Sequence, residues 1–250
     1  MTNQKIPRKG QKKAKGNEIE AAIADNFAPF DFKFKKRPFH FTEKQKQFIS
    51  LATDEQTKII LVEGPAGSSK TLVSVYCALL LMKSKRIDNI MYLRSVVESA
   101  QKSMGFLAGD AEQKLSFFTD ILDDKLSELV EPKDIPILKN SQRIETMPLN
   151  YVRGCSWRKK FILVDESQNF CAKELLSVMT RIGEGSLMVL AADRTQDDIN
   201  NSGFADIYDL FNDKDSKENG IYTFQFAEED IVRSEIVKFV VKKFKQLRLQ

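Results

Sequence analysis

Histidine is all but absent from this 250-residue chain. His40 stands alone, with no partner of catalytic type near it in the sequence, and is assigned no role. Cysteine is scarce as well: Cys77, Cys155 and Cys171 are odd in number and fall at no metal-ligand spacing, which argues against a disulfide framework and suits a reducing compartment. No apolar run approaches the roughly 18 residues of a membrane span, and the Lys-rich N-terminus lacks the apolar core of a secretory signal. A soluble, cytoplasmic protein without membrane contact is expected. There is no internal repeat. Hydrophobic residues at 42% and aromatics at 10% exclude disorder throughout and are ample for one large α/β core.

Acids are missing from residues 1–16, which carry Lys5, Arg8, Lys9, Lys12, Lys13 and Lys15. The net charge of +4 therefore hides an asymmetry: residues 1–40 hold ten Lys/Arg against four Asp/Glu, and the remaining 210 hold 29 against 31. A basic arm over 1–40 on a near-neutral domain over 41–250 suits a polyanion such as RNA or single-stranded DNA, although solvated tails are often basic too. Phe27, Phe30, Phe32, Phe34, Phe39 and Phe41 alternate with Lys33, Lys35, Lys36 and Arg37. Such a mixture can stack on bases and neutralise phosphates, or it can pack its rings onto the core.

Within the domain, Ile59-Ile60-Leu61-Val62-Glu63 runs as an apolar strand into Gly64-Pro65-Ala66-Gly67-Ser68-Ser69-Lys70-Thr71. This reads as strand, phosphate-binding loop, helix. Successive N–H groups of such a loop wrap a polyphosphate, with Lys70 on the outer phosphates and Thr71 on Mg²⁺. The usual Gly before the Lys is Ser69 here, tolerable where φ is negative and strained where the turn is left-handed.

Around the loop, Thr42 is the expected N-cap of a helix that carries Gln45. The loop's own helix spans about 69–82 and is apolar nearly all round, hence buried. Strands are expected at 89–94, 159–164, 186–191 and 221–226, with helices at 110–129 and 234–247, the former capped by Asp110 and Gln113. Alternating strands and helices imply a largely parallel sheet flanked by helices.

The strand Phe161-Ile162-Leu163-Val164 ends in Asp165-Glu166-Ser167-Gln168, 95 residues after Lys70. Alone, such an acid pair caps a helix more often than not. Behind a phosphate loop it fits phosphoryl transfer, with Asp165 in the Mg²⁺ shell and Glu166, pointing the other way, acting on the attacking water. Gln196, after the strand end at Asp193, offers an amide to the γ-phosphate or is part of a polar turn. Arg94, Arg153, Arg181 and Arg233 are the candidates for stabilising transferred charge.

Together these motifs resemble the PhoH-like ATPases, relatives of the N-terminal core of superfamily-one helicases. The resemblance runs from Thr42 to Lys245 and takes in Gly64–Thr71, Gly105–Asp110, Arg153-Gly154, Leu163–Asn169, Thr180–Gly183, Asp193–Gln196 and Glu229–Arg233. It implies a RecA-like P-loop NTPase fold, ATP and Mg²⁺ as cofactors, Gln45 reading adenine, and Gln196 and Arg233 sensing the γ-phosphate. Ser69, Ala192, Ser95 and Cys155 depart from the family pattern. Superfamily-one helicases bind ATP between two such domains. One domain here implies that a second copy supplies the other face, in a homo-oligomeric ring with a hexamer as candidate size. The expected activity is Mg²⁺-dependent ATP hydrolysis coupled to RNA or single-stranded DNA. The alternative is a nucleotide-regulated RNA-binding or structural ring protein with little turnover.

Overall fold

A computed structural model describes residues 32–35, 39–94, 111–148, 156–196 and 202–232, with 236, 239, 240 and 243 beyond them. The sheet and its helices belong to one compact unit, 33–250. In chain order the elements are α1 (Glu43–Thr53), β1 (Ile59–Glu63), α2 (Lys70–Lys83), β2 (Asn89–Arg94), α3 (Ala111–Leu129), α4 (Ile135–Asn140) and β3 (Ile144–Pro148). They continue with β4 (Lys160–Asp165), α5 (Ala172–Met179), β5 (Leu187–Ala192), α6 (Phe204–Leu210), α7 (Lys214–Glu218) and β6 (Ile221–Gln225). The expected strands are all present within a residue or so of their ends. β3, α4, α5, α6 and α7 were not expected: each is short, and five to eight residues carry too little periodicity to read. The cap at Asp110 lies outside the described residues, as does most of the 234–247 helix, of which 236, 239, 240 and 243 are helical.

The six strands pair in the order β3-β2-β4-β5-β1-β6, and every pairing is parallel. β1, β2, β4 and β5 are buried almost throughout, which is why their sequences are continuous apolar runs rather than alternating ones. One face of the sheet packs Ile59, Leu61, Met91, Leu93, Ile162 and Val164 against Phe170, Leu175, Val178, Phe204 and Tyr208, around α5 and α6. The residues that alternate with these face the other way, where α2 contacts β4 and β5 and is itself flanked by α1 and α3. A helix covered on that many sides is apolar all round, and Val73, Val75, Cys77, Ala78, Leu79 and Leu81 are all buried.

α1 begins with a reciprocal cap: Thr42 Oγ1 accepts the Gln45 N–H, and Gln45 Oε1 accepts the Thr42 N–H, both at 3.1 Å. Its Phe48 meets Phe224 and Phe226 of the β6 end at centroid distances of 5.3 and 5.8 Å. Phe34, Phe39 and Phe41 gather around Tyr76 of α2, with centroids 4.7–5.7 Å away. These rings take the packing alternative. Cys77 and Cys171 are free thiols. Among the described residues no helix is long and apolar enough to cross a membrane.

Phe48 has no exposed surface and anchors α1 on the sheet edge. Phe48→Ala should cost about 3–5 kcal/mol. Urea denaturation followed by circular dichroism checks this, and a loss under about 1 kcal/mol would put α1 outside the cooperative core.

Candidate active site

In parallel α/β sheets ligands gather at the carboxyl ends of strands. Here the ends of β1, β5, β4 and β2 stand side by side and deliver Glu63, Ala192, Asp165 and Arg94. A cleft of about 480 Å³ opens over them, lined by the loop residues Ala66, Gly67, Ser69, Lys70 and Thr71, by Asp165, Glu166, Asp193 and Gln196, and by Lys125, Glu128 and Val232.

The phosphate loop is shaped by close approach and by two left-handed residues. A Cβ on Gly64 would come within 2.7 Å of Phe226 Cβ, so only glycine lets the loop leave β1 here. Gly67 has φ +87° without penalty, whereas Ser69 has φ +63° and ψ +25°. The turn does need the left-handed region, and a Cβ there costs about 1–2 kcal/mol. Lys70 Nζ donates to the carbonyls of Gly64 at 2.6 Å and Pro65 at 3.2 Å, bending over its own loop. Burial pulls its ammonium below the ordinary lysine range, opposed by the charges of Asp193, Asp165 and Glu166.

Across the sheet the Thr71 hydroxyl donates to Asp165 and lies 3.2 Å from each carboxylate oxygen, bridging 94 residues of sequence. Asp165 also accepts the Tyr92 hydroxyl on Oδ2 at 2.8 Å and the Glu166 N–H on Oδ1 at 3.2 Å. Burial, and after it Asp165, pushes the Tyr92 phenol far up, so it stays a donor at working pH. Strand alternation would send Glu166 away from Asp165, as the sequence implied. The backbone instead turns left-handed at Glu166, φ +53°, and both acids line the cleft. Glu166 Oε1 meets Arg94 at 3.4 Å, and its Oε2 accepts from Gln168 Nε2 at 2.7 Å. Gln168, buried, also donates to the Gln196 carbonyl at 3.2 Å and accepts the Asp193 N–H at 3.0 Å. One amide thus ties the β4 end to the β5 end. Burial would lower the Arg94 pKa, but Tyr92, Asp165 and Glu166 together raise it.

Of the sequence candidates, Lys70, Thr71, Asp165, Glu166 and Gln196 border one cleft with the loop, and Arg94 reaches Glu166. Gln45 borders neither this cleft nor the one beside Gly64 and Pro65. Arg181 is displaced: its carbonyl accepts the Trp157 N–H ahead of β4, at the opposite end of the strands from the acids. Arg153 and Arg233 lie outside the described residues, although Val232 N–H donates to the Gly67 carbonyl at 3.3 Å. Lys125 and Tyr92 escaped the sequence reading. Lys125 sits on an amphipathic helix whose position no motif reports. Tyr92 had a signal: a lone phenol on a buried strand needs a partner for its hydroxyl.

The donors suit Mg²⁺, a hard cation that takes oxygen ligands and keeps several waters. One carboxylate and one hydroxyl face each other, and no cluster of three or more His, Cys, Asp or Glu stands ready to cage a metal among the described residues.

A family model for the PhoH-like proteins matches residues 40–245. A PhoH-like protein of Synechocystis is 33% identical over 208 residues, 82% of this chain and 61% of the relative. Those of Mycobacterium tuberculosis and Bacillus subtilis are 32% and 28% identical over 203 and 206 residues, 80% and 81% of this chain. The matched region spans 56% and 62% of those two relatives, so the chain covers little more than half the length of the proteins it resembles. Among solved structures, a Sulfolobus solfataricus SWI2/SNF2 ATPase core in complex with double-stranded DNA aligns over 79% of this chain and 46% of its own. Its identity is 14% and its TM-score 0.43, below the level that decides a fold.

Replacing Ser69 by glycine removes the left-handed strain and adds the smaller entropic cost of glycine. Ser69→Gly should raise stability by about 0.5–1 kcal/mol, moving the urea midpoint upward at constant slope. A lower midpoint would show that the loop does not need a left-handed residue there.

Proposed function

The chain belongs to the PhoH-like family, and on that premise we propose that it is a Mg²⁺-dependent ATPase that acts on RNA or single-stranded DNA as a homo-oligomeric ring. The observation that carries the reading is the Thr71–Asp165 pair. A hydroxyl at the start of the loop's helix and a carboxylate at the end of β4 meet at 3.2 Å, where a metal between them would be held. Mg²⁺ held by Thr71 and Asp165 would supply positive charge to offset the charge that develops on the phosphates.

The chain's own groups take the remaining roles. The loop amides and Lys70 bind the phosphates, and Lys70 exchanges the Gly64 and Pro65 carbonyls for phosphate oxygens. Glu166 orients the attacking water or accepts its proton, held in place by Arg94 and Gln168. Gln196 and Arg233 sense the γ-phosphate, the latter one residue beyond the contact of Val232 with Gly67. The family likeness gives Gln45 the adenine-reading role; its amide oxygen accepts the Thr42 N–H. The basic surplus of residues 1–40 favours a nucleic-acid partner, and a second copy supplies the other face of the nucleotide in a ring with six subunits as candidate size. A second reading draws support from Glu166 itself. With one oxygen paired to Arg94 and the other accepting from Gln168, both are already engaged rather than open to a water, which suits a nucleotide-regulated RNA-binding ring with slow turnover.

Turnover separates the two. Glu166→Gln should retain ATP and lose roughly 10²–10⁴-fold in hydrolysis, and Lys70→Ala should lose binding. Hydrolysis by Glu166→Gln at the parent rate would remove Glu166 from the chemistry. A parent that binds ATP without measurable hydrolysis would favour the second reading.

The arm makes a separate prediction. For single strands log K falls by about 0.7 per neutralised phosphate per decade of salt, so deleting residues 1–16, with six cations and no acid, should flatten the slope by up to roughly 4. An unchanged slope in filter binding to a short RNA would move the contact to the folded domain.

A further inference from the structure

β2 is buried along Asn89–Leu93, and its other core members are Ile90, Met91 and Leu93, yet it carries Tyr92, with 1% of its surface exposed. Hydrocarbon would fill that volume equally well, and a buried phenol is unfavourable unless its hydroxyl is bonded. The register explains the choice. Parallel pairing sets Tyr92 beside Leu163 and Arg94 beside Asp165. A side chain at 92 must therefore reach two residues along to meet the acid, and the phenol does, placing its hydroxyl 2.8 Å from Asp165 Oδ2. Arg94, two residues on and on the same face, reaches Glu166. β2 thus contributes one donor to each acid of the pair.

We propose that Tyr92 is a positioning residue for the metal carboxylate: its hydroxyl holds Asp165 turned towards Thr71, and Mg²⁺ affinity in the nucleotide complex depends on it. Three donors surround the carboxylate, namely Tyr92 on Oδ2, the Glu166 N–H on Oδ1, and the Thr71 hydroxyl across both. The second is backbone and the third turns to the metal. Tyr92 is then the side chain that keeps the carboxylate from rotating when Thr71 is engaged. Groups that orient a metal ligand in this way are worth about 10–100-fold in metal affinity.

This inference rests on the ATPase reading, and a Mg²⁺ titration of fluorescent-ATP binding at equilibrium tests the two separately. Tyr92→Phe keeps the ring and removes the hydroxyl. Its Mg²⁺ midpoint should rise roughly tenfold or more, the size of one hydrogen bond to a charged group, while metal-free nucleotide binding, which uses Lys70 and the loop, stays at the parent value. In an Asp165→Asn background the same substitution should add nothing, because the hydroxyl acts through the carboxylate. An unshifted midpoint, or equal penalties with and without Asp165, would overturn the proposal. So would a parallel loss of metal-free and metal-dependent binding, or unfolding of Tyr92→Phe in a thermal melt, either of which would make the hydroxyl a requirement of the fold. A parent with no Mg²⁺-dependent binding would overturn the ATPase reading and this inference together. Normal parent binding beside an unshifted variant would overturn this inference alone.

Discussion

The hydrogen bond from Thr71 to Asp165 is the constraint on which the rest of the site depends. It joins the first turn of α2 to the end of β4, and these two elements are not neighbours in the sheet: β5 lies between β1 and β4. The pair can meet only if the loop leaves β1 over the carboxyl edge and α2 crosses that edge before running back along the face. Gly64, against Phe226, makes the exit possible, and the apolar circumference of α2 makes the return favourable. Sheet order, loop geometry and helix burial therefore converge on one contact of 3.2 Å.

Around that contact the chain accepts local strain and buries polar groups that an inert core would avoid. Ser69 and Glu166 both adopt left-handed backbone without being glycine, and both line the cleft. At Ser69 the conformation shapes the phosphate loop. At Glu166 it swings the second acid into the cleft that strand alternation would have denied it. Each deviation costs of the order of 1–2 kcal/mol and persists because packed strands on both sides leave no alternative. The buried Tyr92 and Gln168 and the half-buried Arg94 stabilise the arrangement in turn: each finds partners among the acids, the end of β5 and one another. Polar groups buried here form one connected network, the condition under which such burial is tolerated.

Seen by itself, the sequence determined the strands of the core, because parallel strands covered on both faces are written as unbroken apolar runs, and it determined the loop, because glycines ahead of Lys-Thr have few other uses. The acids were equally legible, since Asp165-Glu166 stops an apolar run abruptly. The cap at Thr42 and the burial of α2 could be read from spacing alone. These are local properties, set by residues within one or two turns of each other.

What the tertiary structure alone decided is the set of relations between distant residues. The insertion of β5 between β1 and β4 is set by the topology, and the packing of Phe34, Phe39 and Phe41 around Tyr76 by where α2 lies; the choice of Arg94 rather than Arg181 as partner of Glu166 and the reach of Tyr92 to Asp165 depend on register across the sheet. A one-residue slip would reverse the faces of these last two without altering the local sequence signal. Whether Ser69 lay in a relaxed or a left-handed turn was likewise undetermined by its neighbours in sequence, because its φ is imposed by where β1 ends and α2 must begin. Local chemistry named the groups, and the pairing of strands chose which of them would touch.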